Sequence, residues 1–206
     1  MSITLYHHPF SRAATAVWML EEIGEPYELR TVDFMKGAHK KPDYLAVNPM
    51  GKLPALTDGK VTVTEIAAIA LYLGDRYGYG SLAPKVDDPT RAAYLRWSFF
   101  ATNVIEPGLL AKAGAWDVKE SAVGWGNYDA MIATIDVAIG KGPYLLGENF
   151  SMADCIVGGT LRFFVGSKEL VPSATVGAYL ERIGSRPAIQ RSEARNAAVR
   201  KELGLG

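Results

Sequence analysis

The segment YHHPFSRAATAVWMLEE, residues 6–22, places two histidines and a serine directly before an amphipathic run. Ser11 stands at the first turn of the helix that this run predicts, where the helix dipole favours an anion. Its hydroxyl could hold an anion there, or it could simply cap the helix, which is a favoured use of serine. His7 and His8 have no third ligand at a recognisable spacing, whereas zinc usually needs three or four. We therefore interpret both histidines as residues at the end of a strand.

A second segment, NPMGKLPAL (48–56), leads a proline directly into a predicted strand after a glycine turn. This arrangement suits a cis Leu53-Pro54 bond, which would leave the Leu53 N–H and C=O free for an extended, peptide-like ligand. The alternative is an ordinary trans proline at the start of a strand, which the rarity of cis prolines favours.

A third segment, TEIAAIALYL (64–73), places Glu65 and Ile66 where a predicted strand ends and a predicted helix begins. The free N–H groups of a helix start form an anion site, and Glu65 could pair with the ammonium group of a ligand. The alternative is that Thr64 caps the helix and Glu65 occupies its dipole-favoured first turn.

Periodicity predicts the elements that position these residues. Their order over residues 1–77 is β-α-β-α-β-β-α, typical of a small α/β domain. The hairpin turn falls at Asp58-Gly59, and residues 34–43 are predicted to be loop and irregular helix. The predicted strands and hairpin cover 3–7, 27–33 and 54–63, and the predicted helices run from Ser11 to Gly24 and from Glu65 to Gly78.

The rest of the chain shows only helical patterns after a turn-rich linker over residues 78–88. We therefore predict an all-helical domain over residues 89–206. It begins with a helix that Pro107 disturbs, and a second helix is predicted over residues 118–140. Ser151-x-x-Asp154 is the pattern of a helix capping box, which we interpret as a folding element.

Composition excludes several classes of protein. The 206 residues include 22 Lys plus Arg and 22 Asp plus Glu, so the formal net charge is zero. The chain therefore has no excess of positive charge that would indicate binding to nucleic acid or an anionic membrane. The single cysteine, Cys155, rules out an internal disulfide and is expected to fill apolar space. One free thiol and no signal peptide predict a cytoplasmic protein, and no run reaches the ~18 apolar residues of a membrane span.

Taken together, these segments resemble the cytosolic glutathione S-transferase family, in its bacterial, serine-type form, over essentially the whole chain. The resemblance implies a thioredoxin-like N-terminal domain, an all-α C-terminal domain, a homodimer and a cis proline at Pro54. The segments that carry it are FSRAATAVWMLEEIGEPYEL, NPMGKLPAL, TEIAAIALYLGDRY, RWSFFATNVIEP and FSMADCIVGGTL.

The resemblance also implies how glutathione, as co-substrate and without a metal, is bound. Leu53, next to Pro54, offers its backbone to the cysteinyl part, and Glu65 meets the γ-glutamyl ammonium group. The N–H of Ile66 meets the γ-glutamyl carboxylate. His39 and Lys52 are assigned to the glycine carboxylate, and Lys40 is a weaker candidate.

The chain departs from the family at Ile66, where the pattern usually has serine after the glutamate. The backbone N–H remains, but a hydroxyl donor is lost, which is worth roughly 0.5–1.5 kcal/mol. The departure leaves open a member that binds glutathione more weakly, or a non-catalytic one.

Ser11 matches the position at which serine-type transferases stabilise the glutathione thiolate. Tyr6 is its competitor, because some classes use a tyrosine near the first strand, but a place inside the strand favours packing. Arg12 either assists the site electrostatically or faces solvent.

The resemblance implies a glutathione transferase. Its activated glutathione thiolate would attack small hydrophobic electrophiles, and peroxides are a further candidate substrate. Two alternatives remain: a glutathione-dependent isomerase or reductive eliminator of one metabolite, and a non-catalytic binding protein of the same fold. An apolar pocket for the second substrate is assigned to Phe10, Phe100, Asn103, Ile105 and Trp116.

Overall fold

Within residues 2–205, which the computed structural model describes, four strands form one mixed sheet in the order β2-β1-β3-β4. β1 runs parallel to β2 and antiparallel to β3, and β4 is antiparallel to β3. All residues of the central strand β1 are buried, so its two faces lie in the core. The strands are β1 (Ile3–His7), β2 (Tyr27–Thr31), β3 (Ala55–Asp58) and β4 (Val61–Thr64).

The helix after β1, α1 (Ala13–Ile23), buries small and apolar residues at helical spacing, among them Ala16, Val17 and Leu20. It begins two residues after the predicted start and ends as predicted at Gly24. The φ of Gly24 is 79°, a left-handed conformation that glycine adopts without strain, and its N–H donates to the Leu20 carbonyl.

The remaining elements of the N-terminal region complete a thioredoxin-like arrangement, which confirms the predicted fold class. The β3–β4 hairpin forms as predicted, but its two turn residues are Gly59 and Lys60, one position later than predicted, because Asp58 pairs with Val61 as the last residue of β3. The region predicted as loop and irregular helix contains 3₁₀ turns at Phe34–Lys36 and Ala38–Lys40 and the short helix α2 (Pro42–Leu45), and α3 (Ile66–Tyr77) follows β4.

The last helix, α9 (Pro187–Glu202), packs against α1. Arg186 forms a double hydrogen bond to the Glu22 carboxylate, at 2.6 and 2.7 Å. Arg191 donates to the Glu21 carboxylate at 2.7 Å, and Arg195 donates to it as well. These ion pairs hold the end of the chain on the N-terminal region.

The chain divides into two compact units, and the last helix belongs to the same unit as the N-terminal residues. The first unit comprises the chain up to Tyr77 together with the segment from Arg186 onward, and the second is Gly78–Ser185. The linker over residues 78–88 and the helical domain over residues 89–206 stay predictions. In the structure, α9 joins the first unit because its buried face and its arginines contact α1.

The second unit is all-helical. A π-helical segment, Ala101–Ile105, leads directly into the helix that contains Pro107. Pro107 lies in the second position of α5, directly after this π-helical segment, and such a segment is typically a local irregularity within a continuous helical run. The helices are α4 (Arg91–Phe100), α5 (Glu106–Ala113), α6 (Tyr128–Ile139), α7 (Met152–Gly166) and α8 (Ala174–Gly184).

The predicted helix over 118–140 is wrong at its start, because α6 begins at Tyr128. Gly126 has a φ of 63°, outside the helical region. Asn127 is extended, and its side chain accepts the Ala130 N–H at 2.8 Å. Asparagine is a strong N-cap residue, so this bond sets the helix start.

The capping box of α7 is confirmed as a folding element. The buried Asp154 carboxylate accepts the N–H of Ser151 and the N–H of Leu145, both at 2.9 Å. Cys155 is fully buried in the same helix, which confirms its packing role. Among residues 2–205, no helix has the length and apolar character needed to cross a bilayer.

Candidate active site

The strand register brings most of the predicted site residues to one end of the sheet. Tyr6 pairs with Ala55, Ala55 with Thr64, and His7 with Thr31. The segments that follow β1, β2 and β4 therefore leave the sheet at the end where β3 enters it. These segments carry Phe10, Ser11, His39, Lys52, Leu53, Pro54, Glu65 and Ile66.

The Ser11 hydroxyl lies in the turn between β1 and α1 and takes part in two hydrogen bonds. It donates to the His8 carbonyl oxygen at 2.8 Å and accepts the Ala13 N–H at 3.2 Å. Because Ala13 is the first residue of α1, the hydroxyl lies at the positive end of the helix dipole. The side chain is only partly buried, and a hydroxyl proton rotates to suit its acceptor. Ser11 therefore caps α1 and keeps a proton that can turn toward an anion.

The two histidines lie at the end of β1, as the sequence indicated, and both are fully buried. The Nε2 of His7 lies 2.7 Å from the Asn196 side-chain oxygen. The Nδ1 of His8 accepts the Phe10 N–H at 3.2 Å, and the His8 ring lies 4.4 Å from the Phe34 ring. His7 therefore bonds to α9, whereas His8 bonds to the turn that carries Ser11.

Burial makes His7 a source of acid sensitivity. Burial lowers the pKa of His7 to about 4, against the opposing effect of its hydrogen bond with Asn196. The unfolded chain therefore binds a proton below about pH 6.5 that the folded chain does not bind until about pH 4, so stability falls as the pH drops through this window.

We expect His7→Gln, whose amide can donate to Asn196, to reduce this acid sensitivity. Between about pH 7.5 and pH 4.5, wild type should lose about 2–3 kcal/mol more of its free energy of unfolding than the variant. Urea unfolding at both pH values, at one protein concentration, measures the difference. Parallel losses in the two proteins would show that His7 is not the group responsible.

Tyr6, the competitor of Ser11, is a core residue. Its side chain is buried, its ring lies 5.6 Å from the Tyr44 ring, and its hydroxyl accepts a hydrogen bond from Arg30 at 3.3 Å. This confirms the interpretation that Tyr6 packs within the strand. Arg12 is exposed on the helix start.

The Leu53-Pro54 peptide bond is cis, which confirms that prediction. Within residues 2–205, no hydrogen bond engages the backbone N–H or C=O of the partly buried Leu53. The segment before β3 therefore presents a free donor and a free acceptor, as an added strand requires.

Two residues that the sequence analysis missed hold this segment in place. The Tyr44 hydroxyl and the Asn48 amide donate to the Lys52 carbonyl oxygen, at 2.6 and 2.8 Å. Both side chains are buried. The Asn48-Pro49 pair is a turn signal that could have identified Asn48, whereas Tyr44 lies in a region predicted as irregular.

A close backbone approach joins the predicted glycine-carboxylate residues. Gly51 has a φ of 60°, and a Cβ there would lie 2.7 Å from the His39 carbonyl oxygen and 2.9 Å from the Lys40 Nζ. Only glycine fits this position. Lys52 is exposed, and the buried Nδ1 of His39 has no hydrogen-bond partner in residues 2–205.

Glu65 lies between β4 and α3 in an uncommon backbone conformation. Its φ is 67°, a left-handed value that costs on the order of 1–3 kcal/mol for a residue with a side chain. The carboxylate is exposed and forms no ion pair with any described residue. The Ile69 N–H bonds to the Glu65 carbonyl, so the N–H of Ile66 lies before the first intrahelical bond. Carboxylate and free N–H are thus adjacent, as a zwitterionic ligand requires.

The predicted second-substrate residues fall in both units. In the first unit, Phe10 is 51% exposed in the turn before Ser11. In the second, Asn103 and Trp116 are exposed and Phe100 is partly buried. Ile105 is 0% exposed, so it presents no surface to a ligand in this structure.

The site contains donors, a carboxylate and a hydroxyl. Among residues 2–205, no group of three or more His, Cys, Asp or Glu side chains is arranged to hold a metal ion. The arrangement can bind a peptide-like zwitterion and hold one anion beside the start of α1.

Comparison with known families matches both parts of the chain. The family model for "Glutathione S-transferase, N-terminal domain" matches residues 1–75, and the model for "Glutathione S-transferase, C-terminal domain" matches residues 91–186. Among curated proteins, glutathione S-transferase hmp2 of Hypomyces subiculosus is 32% identical over 75% of this chain and 78% of its own. Glutathione S-transferase F10 of Arabidopsis thaliana is 28% identical over 91% and 94%.

Solved structures agree in fold. A glutathione transferase from Methylococcus capsulatus is 26% identical, covers 95% of this chain and 99% of its own, and gives a TM-score of 0.78. URE2P6 from Phanerochaete chrysosporium, solved with oxidised glutathione, is 25% identical, covers 96% and 97%, and gives 0.79. The chain belongs to the glutathione S-transferase family.

Proposed function

We propose that this chain binds glutathione at the end of the sheet where β3 enters, and activates its thiolate for attack on a small hydrophobic electrophile or a peroxide. The observation that carries the proposal is the meeting of three groups at that end. They are the Ser11 hydroxyl at a helix start, the free backbone of Leu53 and the unpaired carboxylate of Glu65. Relatives solved with bound glutathione support it.

The free groups match the functional groups of glutathione. The Leu53 N–H and C=O pair with the cysteinyl backbone as an added strand would. Glu65 pairs with the γ-glutamyl ammonium group, and the Ile66 N–H donates to the adjacent carboxylate. The exposed side chain of Lys52 and the partly buried ring of His39 serve the glycine carboxylate.

The Ser11 hydroxyl then stabilises the thiolate. A free thiol has a pKa of about 8.5, and lowering it by one to two units requires about 1.4–2.8 kcal/mol. The Ala13 N–H bond to Ser11 Oγ polarises the hydroxyl and makes it a stronger donor. Its proton turns from the neutral His8 carbonyl to the thiolate because a charge-assisted hydrogen bond is roughly twice as strong.

The second substrate and the assembly belong to the same proposal. Phe10, half exposed and next to Ser11, offers apolar surface to the electrophile. Phe100, Asn103 and Trp116 stay predictions as second-substrate residues. The proposal includes a homodimer, by analogy with the family, and a cytoplasmic location, which suits the single buried thiol of Cys155.

Calorimetric titration with glutathione tests the binding site, with Glu65→Gln as the informative variant. We expect saturable binding to wild type and binding weaker by about tenfold or more in the variant, because a hydrogen bond between charged groups is worth about 1.5–3 kcal/mol. Glu28→Gln, which changes an exposed carboxylate on β2, is the matched control and should bind like wild type.

Turnover of a general aromatic electrophile tests the transferase. Binding with turnover supports it. Binding without turnover would favour either the narrow isomerase or reductive eliminator, which product analysis with a substrate panel detects, or the non-catalytic member that Ile66 suggests. No heat at millimolar glutathione would overturn the proposal.

A further inference from the structure

His8 holds the turn that presents Ser11 through both its ring and its backbone. The ring Nδ1 accepts the Phe10 N–H at 3.2 Å. The carbonyl oxygen accepts the Ser11 N–H at 3.0 Å and the Ser11 hydroxyl at 2.8 Å. Any residue supplies the carbonyl, but few side chains supply the acceptor for Phe10.

The hydrogen bond from Phe10 determines the tautomer of the neutral His8 ring. Because Nδ1 accepts an N–H, a neutral imidazole must carry its proton on Nε2. Nε2 is buried and has no partner among residues 2–205. Burial lowers the pKa of His8, against the opposing charge of Asp33, so the ring is neutral at neutral pH.

The unpaired Nε2 indicates that packing alone does not explain the histidine. The ring fits between the aromatic rings of Phe34, at 4.4 Å, and Phe10, at 5.9 Å. A phenyl ring would fill this space without burying an unpaired donor, which is costly. A phenyl ring could not accept the Phe10 N–H, and that bond is what the imidazole adds.

We propose that the neutral His8 imidazole is a positioning residue for the Ser11 hydroxyl, because its Nδ1 fixes the turn through the Phe10 N–H. The proposal rests on the thiolate-stabilising role proposed for Ser11. Loss of this acceptor frees the turn, so the hydroxyl no longer lies where the Ala13 N–H polarises it. His8 thus acts on the thiolate through Ser11 and touches no substrate.

The test compares His8→Phe, which keeps the ring and removes the acceptor, with His8→Asn, whose amide oxygen lies near the place of Nδ1. The readouts are the pKa of bound glutathione, from thiolate absorbance against pH, and kcat. We expect His8→Phe to raise the thiol pKa by about one unit and to lower kcat below that pKa by up to about tenfold. His8→Asn should restore most of both.

Two further variants isolate the effect. His7→Phe changes the neighbouring buried histidine, whose ring bonds to Asn196 and not to the turn. It should lower stability and leave the thiol pKa unchanged. In the double variant of His8→Phe with Ser11→Ala, the thiol pKa should equal that of Ser11→Ala alone, because His8 acts through the hydroxyl.

The outcomes distinguish the two proposals. If Ser11→Ala shifts the thiol pKa and a folded His8→Phe protein does not, the inference on His8 is wrong and the role of Ser11 stands. If Ser11→Ala causes no shift, the role of Ser11 fails first. Additive shifts in the double variant would also overturn the inference. His8→Leu, which lacks the acceptor too, replaces His8→Phe if the latter does not fold.

Discussion

Ser11→Ala is expected to raise the pKa of the bound glutathione thiol by about one to two units and to lower kcat roughly 10–100-fold below that pKa. The variant loses the donor that faces the thiolate, and only the thiolate is a good nucleophile. Stopped-flow rates and thiolate absorbance, both measured across pH, give the two values. Because the contacts proposed for Leu53 and Glu65 remain, binding at low pH should change little.

The matched control is Ser11→Thr, which keeps a hydroxyl at the same position. It should retain a thiol pKa closer to that of wild type than Ser11→Ala does. The alanine also removes the cap that accepts the Ala13 N–H, so melting temperatures must be compared. A Ser11→Ala protein with an unchanged thiol pKa and full turnover would leave Ser11 as a helix cap only.

Glu21→Ala is expected to lower the free energy of unfolding by about 2–4 kcal/mol. The buried Glu21 carboxylate accepts hydrogen bonds from Tyr27 at 2.6 Å, from Arg191 at 2.7 Å and from Arg195. Although burial opposes it, these bonds hold the pKa of Glu21 below its usual value. The loss stays below that of a fully buried pair because both arginine side chains are about half exposed. Urea unfolding measures it.

Glu25→Ala provides the control, since it removes the same charge from an exposed position just after α1. It should change stability by less than about 0.5 kcal/mol. Equal losses in the two variants would indicate a general charge effect and would contradict the role assigned to the Glu21 ion pairs.

Local patterns were sufficient to predict several elements of both units. The β3–β4 hairpin, the stop of α1 at Gly24 and the capping box at Ser151 each follow from residues a few positions apart. Their geometry depends on turn and cap residues, which can be identified directly in the sequence. The pattern alone left the Pro54 bond open, and the family resemblance indicated its cis form.

Contacts between distant parts of the chain could not be predicted from the sequence. Arg191 and Arg195 bond to Glu21 across about 170 positions, and no periodicity in α9 indicates which surface it will meet. The predicted start of the helix before Gly140 was wrong because Gly126 adopts a left-handed φ and the Asn127 side chain caps α6 at the next residue. The role of His8 depends on which ring nitrogen faces the Phe10 N–H, and this is visible only in three dimensions.

The placement of α9 has a consequence for folding during translation. Ribosomes release chains from the N-terminus, and domains made of early residues commonly fold while later ones are still being translated. Here the sheet and α1 are translated first, yet the arginines that neutralise Glu21 and Glu22 come from residues 186–195. The unit that holds the proposed glutathione site is therefore built from two stretches of chain, and its contacts with α9 can form only after residues 78–185 have been translated.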